Sequence, residues 1–87
     1  MNQEEFDIIL TKARNLCAKS EKSAGDIHGK NKTWKLPDNL LEKLINTLKE
    51  EGFIDHQRYA KAFVNDKLRF NHWGKKKIAY ALRSKGI

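Results

Sequence analysis

The sequence predicts an all-α protein of tandem three-helix repeats, with about five helices and the second repeat incomplete. Three observations predict it. Apolar residues recur at helical spacing in successive segments. No segment alternates with a period of two. Turn and apolar positions of the first half recur in the second at an offset of 51 residues.

Phe6, Ile9, Leu10, Ala13, Leu16 and Cys17 fall on one helical face and place the first helix at 3–18. The polar stretch Lys19–Lys22 follows. Ser23, with Asp26 three residues on, has the form of an N-cap and capping box for a second helix at 24–32. That helix is expected to be short or frayed. Gly25 and Gly29 each cost about 1 kcal/mol against Ala in a helix interior. Ile27 is its one strong apolar residue, and Trp34 and Leu36 come beyond its end.

Pro37 suits the first turn of a third helix, where its missing N–H costs nothing. Leu40, Leu41, Leu44, Ile45 and Leu48 give that helix a wide apolar stripe. Gly52 is its stop, with Phe53 or Ile54 folding back on the last turn. Asp55 caps a fourth helix at 56–70, with Tyr59, Ala60, Phe63, Val64 and Phe70 as its apolar face. Asn71–Gly74 reads as a turn. A fifth helix at 74–85 ends before Gly86.

At the offset of 51, Ser23 lies over Gly74, Ile27 over Ile78, Leu36 over Ile87 and Ala13 over Val64. The expected units are a three-helix repeat at 1–54 and the first two helices of another at 55–87. Ile78 and Leu82 would then be exposed unless the fourth helix or a partner covers them. An uncovered apolar pair at that position is expected of a piece of a longer repeat protein.

At 87 residues the chain is one small domain or part of a larger protein. A chain of this size buries only about 60–65% of its unfolded surface. Its 39% hydrophobic and 33% charged content is polar without implying disorder. No apolar run approaches the roughly 18 residues of a membrane span, and the opening MNQEEFD is acidic, unlike a signal peptide. A cytoplasmic location with no membrane partner is expected. The single Cys17 agrees with a reducing compartment.

Charge is unevenly placed. From Arg58 onward there are nine basic residues and one acidic residue, Asp66; the first 57 residues hold nine basic and ten acidic ones. The net +7 therefore divides into −1 before Arg58 and +8 after it. The basic residues are interleaved with Tyr59, Phe63, Phe70, Trp73 and Tyr80, which points to a polyanionic or acidic partner. On a helical wheel, Arg58, Lys61, Asn65 and Arg69 lie away from the apolar face of the fourth helix. Lys76, Tyr80 and Arg83 cluster away from Ile78 on the fifth. Lys75, Lys76 and Lys77 occupy a helix N-terminus, where cations oppose the macrodipole. Stability does not explain them there, and a partner does.

The other chemistry-bearing residues form no site. His28, His56 and His72 are scattered, Cys17 lies on an apolar face, and Glu50–Glu51 comes with no apolar pocket to raise a carboxyl pKa. No phosphate-binding glycine loop occurs. The chain reads as a non-enzyme with no catalytic residue, cofactor or metal.

The stretch Leu44–Ile87 closely resembles the RecX family of bacterial recombination regulators. It has a leucine helix ending in Glu-Glu-Gly, then Phe53-Ile54-Asp55-x-x-Arg58-Tyr59-Ala60-x-x-Phe63-Val64. A basic turn with Gly74, then Lys77-Ile78, Leu82 and Lys85-Gly86-Ile87 follow. Lys22-Ser23-x-x-Asp26-Ile27 is similar to the family's earlier repeat. The family's pattern prefers helix formers and an apolar residue where Gly29 and Asn31 stand here. The resemblance implies an array of three-helix repeats that binds the RecA recombinase filament on single-stranded DNA and restrains strand exchange, with direct DNA contact also implied. The contact residues expected here are Arg58, Lys61, Arg69, Lys75, Lys76, Lys77, Tyr80 and Arg83. The alternative is a small basic helical module that binds nucleic acid without a recombinase role. Against it, the fifth helix is rich in Lys and lacks the Asn, Gln and Arg set that reads base edges. A third reading, an oligomerising bundle, leaves the charge partition unexplained, and the oligomeric state stays open.

Overall fold

A computed structural model describes residues 2–87 as five α-helices with no strand among them. They are α1 (Gln3–Lys19), α2 (Ala24–Trp34), α3 (Asp38–Glu50), α4 (His56–Arg69) and α5 (Lys75–Ser84). The apolar stripe of α3 packs between α1 and α2, and α4 packs on α5. The molecule measures 46 × 20 × 20 Å with a radius of gyration of 14.2 Å. A compact domain of this length would have about 12 Å. The protein is an elongated body.

One apolar cluster runs through the first half: Phe6, Ile9, Leu10 and Ala13 of α1, Ile27 of α2, then Leu36, the α3 leucines with Ile45, and Ile54. Every one of these residues belongs to the predicted helical faces or their flanking turns. Cys17 packs on the cluster's margin as a small apolar group, and burial raises its thiol pKa.

The second helix departs from expectation. It is a full 11 residues and reaches Trp34. Three contacts offset its glycines. Ser23 and Asp26 form a complete capping box: the Asp26 N–H donates to Ser23 Oγ at 3.2 Å and the Ser23 N–H to Asp26 Oδ2 at 2.9 Å. Ile27 is 1% exposed. At the far end Asn31 exchanges two hydrogen bonds with the backbone of Leu36, at 2.9 and 3.0 Å, and Lys35 closes the helix in the left-handed conformation. An asparagine that weakens a helix interior therefore closes this one.

Pro37 sits one position outside the predicted first turn and is the N-cap of α3. Gly52, at φ +79°, makes a Schellman stop after α3. Its N–H bonds Lys49 O, and the Phe53 N–H bonds Leu48 O. Ile54 is thereby turned into the core. The end of α5 repeats this pattern, with Gly86 bonded to Arg83 O and Ile87 to Leu82 O.

One apolar expectation is corrected in the second half and a conditional one is resolved. Phe70 is 77% exposed rather than on the α4 apolar face. It is the C-cap residue, one position past the last helical turn, and α5 does not cover it. Ile78 is only 4% exposed and Leu82 is half-buried, so neither is left open. Beside the buried Ile78 of α5, α4 and the turn after it carry a row of aromatics. Tyr59 stacks on Phe63 at 6.0 Å, and Phe63 meets Trp73 edge-on at 6.2 Å.

The halves join at the start of α2. Glu21 pairs with Arg58, the Ala24 N–H faces His56 Nε2 at 3.5 Å, and Asp26 pairs with Lys85. A Cβ on Gly25 would stand 3.2 Å from the Lys85 carbonyl oxygen. Gly25 lets the last turn of α5 approach, a use that outweighs its helix penalty.

Candidate interaction surface on α4 and α5

The surface begins at Asp55, whose carboxylate accepts the Arg58 N–H at 3.0 Å and starts α4. That N–H hydrogen bond holds the Asp55 carboxyl below the usual carboxylate range. The Arg58 side chain then runs along the surface of the chain junction. Its Nε donates to both carboxylate oxygens of Glu21, and its Nη2 donates to the carbonyl oxygens of Gly52 at 3.0 Å and Phe53 at 3.4 Å. Hydrogen bonding to Glu21 strengthens the hold of this guanidinium on its proton. Arg58 stays half exposed, but its polar groups are engaged within the chain, fastening the α3–α4 turn to the α1–α2 connection.

Lys77 is also partly occupied. Its ammonium lies 4.3 Å from the Trp73 ring centroid, and Lys67 lies 4.7 Å from the same ring. Lys85 stands 5.7 Å from the Tyr59 ring. Three cations therefore face the aromatic row Tyr59–Phe63–Trp73, each contact adding about 0.5–1 kcal/mol at an exposed site. Lys67 was not among the sequence candidates. The Lys67–Trp73 spacing was visible in the chain, but only the turn that folds Trp73 back, through its N–H to Lys67 O, gives it meaning.

The remaining candidates are free of ion pairs: Lys61, Arg69, Lys75, Lys76 and Arg83 are exposed and have no carboxylate within bridging distance among the described residues. Tyr80 is 74% exposed. Lys75 and Lys76 open α5, which has Gly74 as N-cap and no acidic residue in its first turn. The structure brings Lys77 and Tyr80 together with Trp73 on a groove of about 550 Å³ that runs between α5 and the Gly25–Asp26 start of α2. Lys61 lies apart from them, on a shallow depression of α4 beside Val64 and Asn65. The eight candidates therefore divide into those on α5, those on α4 and Arg58, which is paired with Glu21. No group of three His, Cys, Asp or Glu side chains converges among the described residues, and none of their helices is long and apolar enough to cross a membrane.

Comparison with known proteins agrees with this architecture. Residues 55–87 match the second three-helix domain of RecX. The regulatory protein RecX of Finegoldia magna is 32% identical over 84 residues, covering 97% of this chain and 39% of that protein. Those of Clostridium acetobutylicum and Clostridium beijerinckii are each 33% identical, covering 97% of this chain and 39% and 38% of their own lengths. The chain spans about two fifths of the length of these relatives. No solved structure matches it. Its α4–α5 pair thus matches a RecX domain, and nearly its whole length is similar to a portion of the RecX regulatory proteins.

Proposed function

We propose that the chain is a recombinase-binding portion of a RecX-type regulator. It docks on the RecA filament assembled on single-stranded DNA and restrains strand exchange. In this reading, residues 1–54 form one three-helix repeat and 55–87 supply the first two helices of the next. The observation that carries the proposal is the uncompensated basic surface of α4 and α5, on the segment matched to a RecX domain. Lys61, Arg69, Lys75, Lys76, Tyr80 and Arg83 make the contact, while Arg58 and Lys77 keep its shape. Acidic recombinase surface and DNA phosphate both complement it electrostatically. An elongated 46 Å body suits a filament groove better than a globular one.

The test is a RecA-filament ATPase and strand-exchange assay with the protein added, alongside binding to bare single-stranded DNA over a salt series. Inhibition of the filament that is lost in Lys75→Ala/Lys76→Ala/Arg83→Ala supports the proposal. Tight binding to bare DNA with an unaffected filament overturns it in favour of a plain nucleic-acid-binding module.

A further inference from the structure

The even charge balance of the first 57 residues conceals a second basic segment. Between Lys12 and Lys35, seven basic residues stand against two acidic ones, Glu21 and Asp26. Both carboxylates are taken by cations of the other half, Arg58 and Lys85. The lysines of this segment are left uncompensated, and folding gathers three of them.

An open groove of about 550 Å³ lies between α1 and α2. Lys12, Asn15 and Lys19 line it from α1, at the three-, four- and seven-residue spacing that shares one helix face. Lys30, Thr33 and Trp34 line it from α2. Its floor is apolar, from Ile9 and Leu16, and no carboxylate lines it. Lys12, Lys19 and Lys30 are exposed and form no ion pair among the described residues. Lys30 has Asp26 one turn before it, but Asp26 is held by Ser23 and Lys85. Lys12 and Lys19 have no acidic residue three or four positions away on their own helix. Salt-bridge networks of a solvated helix surface therefore do not account for this arrangement.

Trp34 decides what the groove takes. It packs against the core on one side, is half-buried, and lines the groove with the rest of its surface. A positively charged groove with an aromatic platform fits a single strand, whose phosphates follow the cations while an unpaired base stacks on the ring. A duplex offers no free base face, and a purely acidic chain such as polyglutamate leaves the tryptophan unused. We infer that the α1–α2 groove is a binding site for single-stranded nucleic acid, distinct from the α4–α5 surface and without sequence preference. Lys12, Lys19 and Lys30 take phosphates, Trp34 takes a base, and Asn15 and Thr33 offer hydrogen bonds beside it. This inference stands independently of the recombinase proposal.

The chain has two tryptophans, so Trp73→Phe leaves Trp34 as the sole reporter. In that background, titration with an oligothymidylate should quench Trp34 fluorescence saturably, and polyglutamate should not. Lys12→Ala/Lys19→Ala/Lys30→Ala should lower the slope of log affinity against log salt for the oligothymidylate by about 2, at about 0.7 per cation. Its circular dichroism should be unchanged. Unaltered affinity and slope in that variant overturn the inference. Equal quenching by polyglutamate also overturns it and makes the groove an acidic-protein surface. Lys76→Ala/Arg83→Ala should keep the Trp34 quench even where filament regulation is lost; loss of the quench there refutes a separate site.

Discussion

Lys85, in the cap of α5, places its ammonium 3.4 Å from Asp26 Oδ1, across 59 residues of sequence, while Asp26 Oδ2 accepts the Ser23 N–H at the start of α2. One carboxylate therefore caps a helix and receives the last turn of another. Asp26→Ala removes both functions and should cost about 1–2 kcal/mol in urea unfolding, against about 1 kcal/mol for Ser23→Ala. Lys85→Ala, at a partly exposed pair, should cost less than about 1 kcal/mol. The double variant should lose less than the sum of the singles, because both report one contact.

The two glycines of α2 should respond oppositely to alanine. A Cβ on Gly29 meets nothing within 4 Å, so Gly29→Ala should gain about 0.8–1 kcal/mol from helix propensity. On Gly25 the Cβ would press on the Lys85 carbonyl at 3.2 Å, and the backbone of the last turn must shift to admit it. Gly25→Ala should give no gain. Paired thermal melts separate the two, and equal stabilisation would show that the junction gives way freely.

Acid should unfasten the molecule at its carboxylates. Burial pushes the Asp26 carboxyl upward, but the Ser23 N–H, Lys85 and the Ser23 hydroxyl outweigh it and leave the pKa lowered. The Arg14 hydrogen bond lowers Glu51, and the Arg58 N–H lowers Asp55. A lowered folded pKa gives stability that is fully present above the unfolded value, about pH 4, and lost as pH falls through the folded value. Melting temperature should be flat from pH 7 to about pH 5 and fall steadily below pH 4. Asp26→Asn should flatten part of that fall.

Neighbouring lysines of α5 should differ. Lys77→Ala removes a cation from the Trp73 ring and should shift Trp73 emission and cost about 0.5–1 kcal/mol. Lys76→Ala should change neither, and should act only on partner binding. Fluorescence spectra and melts of the two variants check this contrast.

The apolar stripes of α1 and α3 were legible in the chain because their burial follows helical period alone. The extent of α2 was not, because it depends on Asn31 meeting Leu36 and on the Ser23–Asp26 box being braced by Lys85. Phe70 has the right angle on a helical wheel and the wrong axial position, since α4 ends at Arg69. For the candidate surface, local charge identified the cations but could not show which were spent. Arg58 finds Glu21 at a separation of 37 residues, and Lys77 finds Trp73 only through the turn between α4 and α5. The same averaging hid the α1–α2 lysines, whose surplus was cancelled in the tally by carboxylates elsewhere on the first half.

The join between the halves has a mechanical meaning. The continuous aliphatic core stops at Ile54, and what crosses to α4 and α5 includes two ion pairs, hydrogen bonds of Ala24 and Arg58, a glycine contact and the lysine-covered ring of Tyr59. Interlocked aliphatic side chains resist every displacement, whereas ionic contacts tolerate small rotations and soften as salt screens them. The 46 Å body therefore has an aliphatic-cored arm and a smaller second arm joined largely by polar contacts. Rising salt should accordingly loosen the joint between the arms before it unfolds the α1–α3 core.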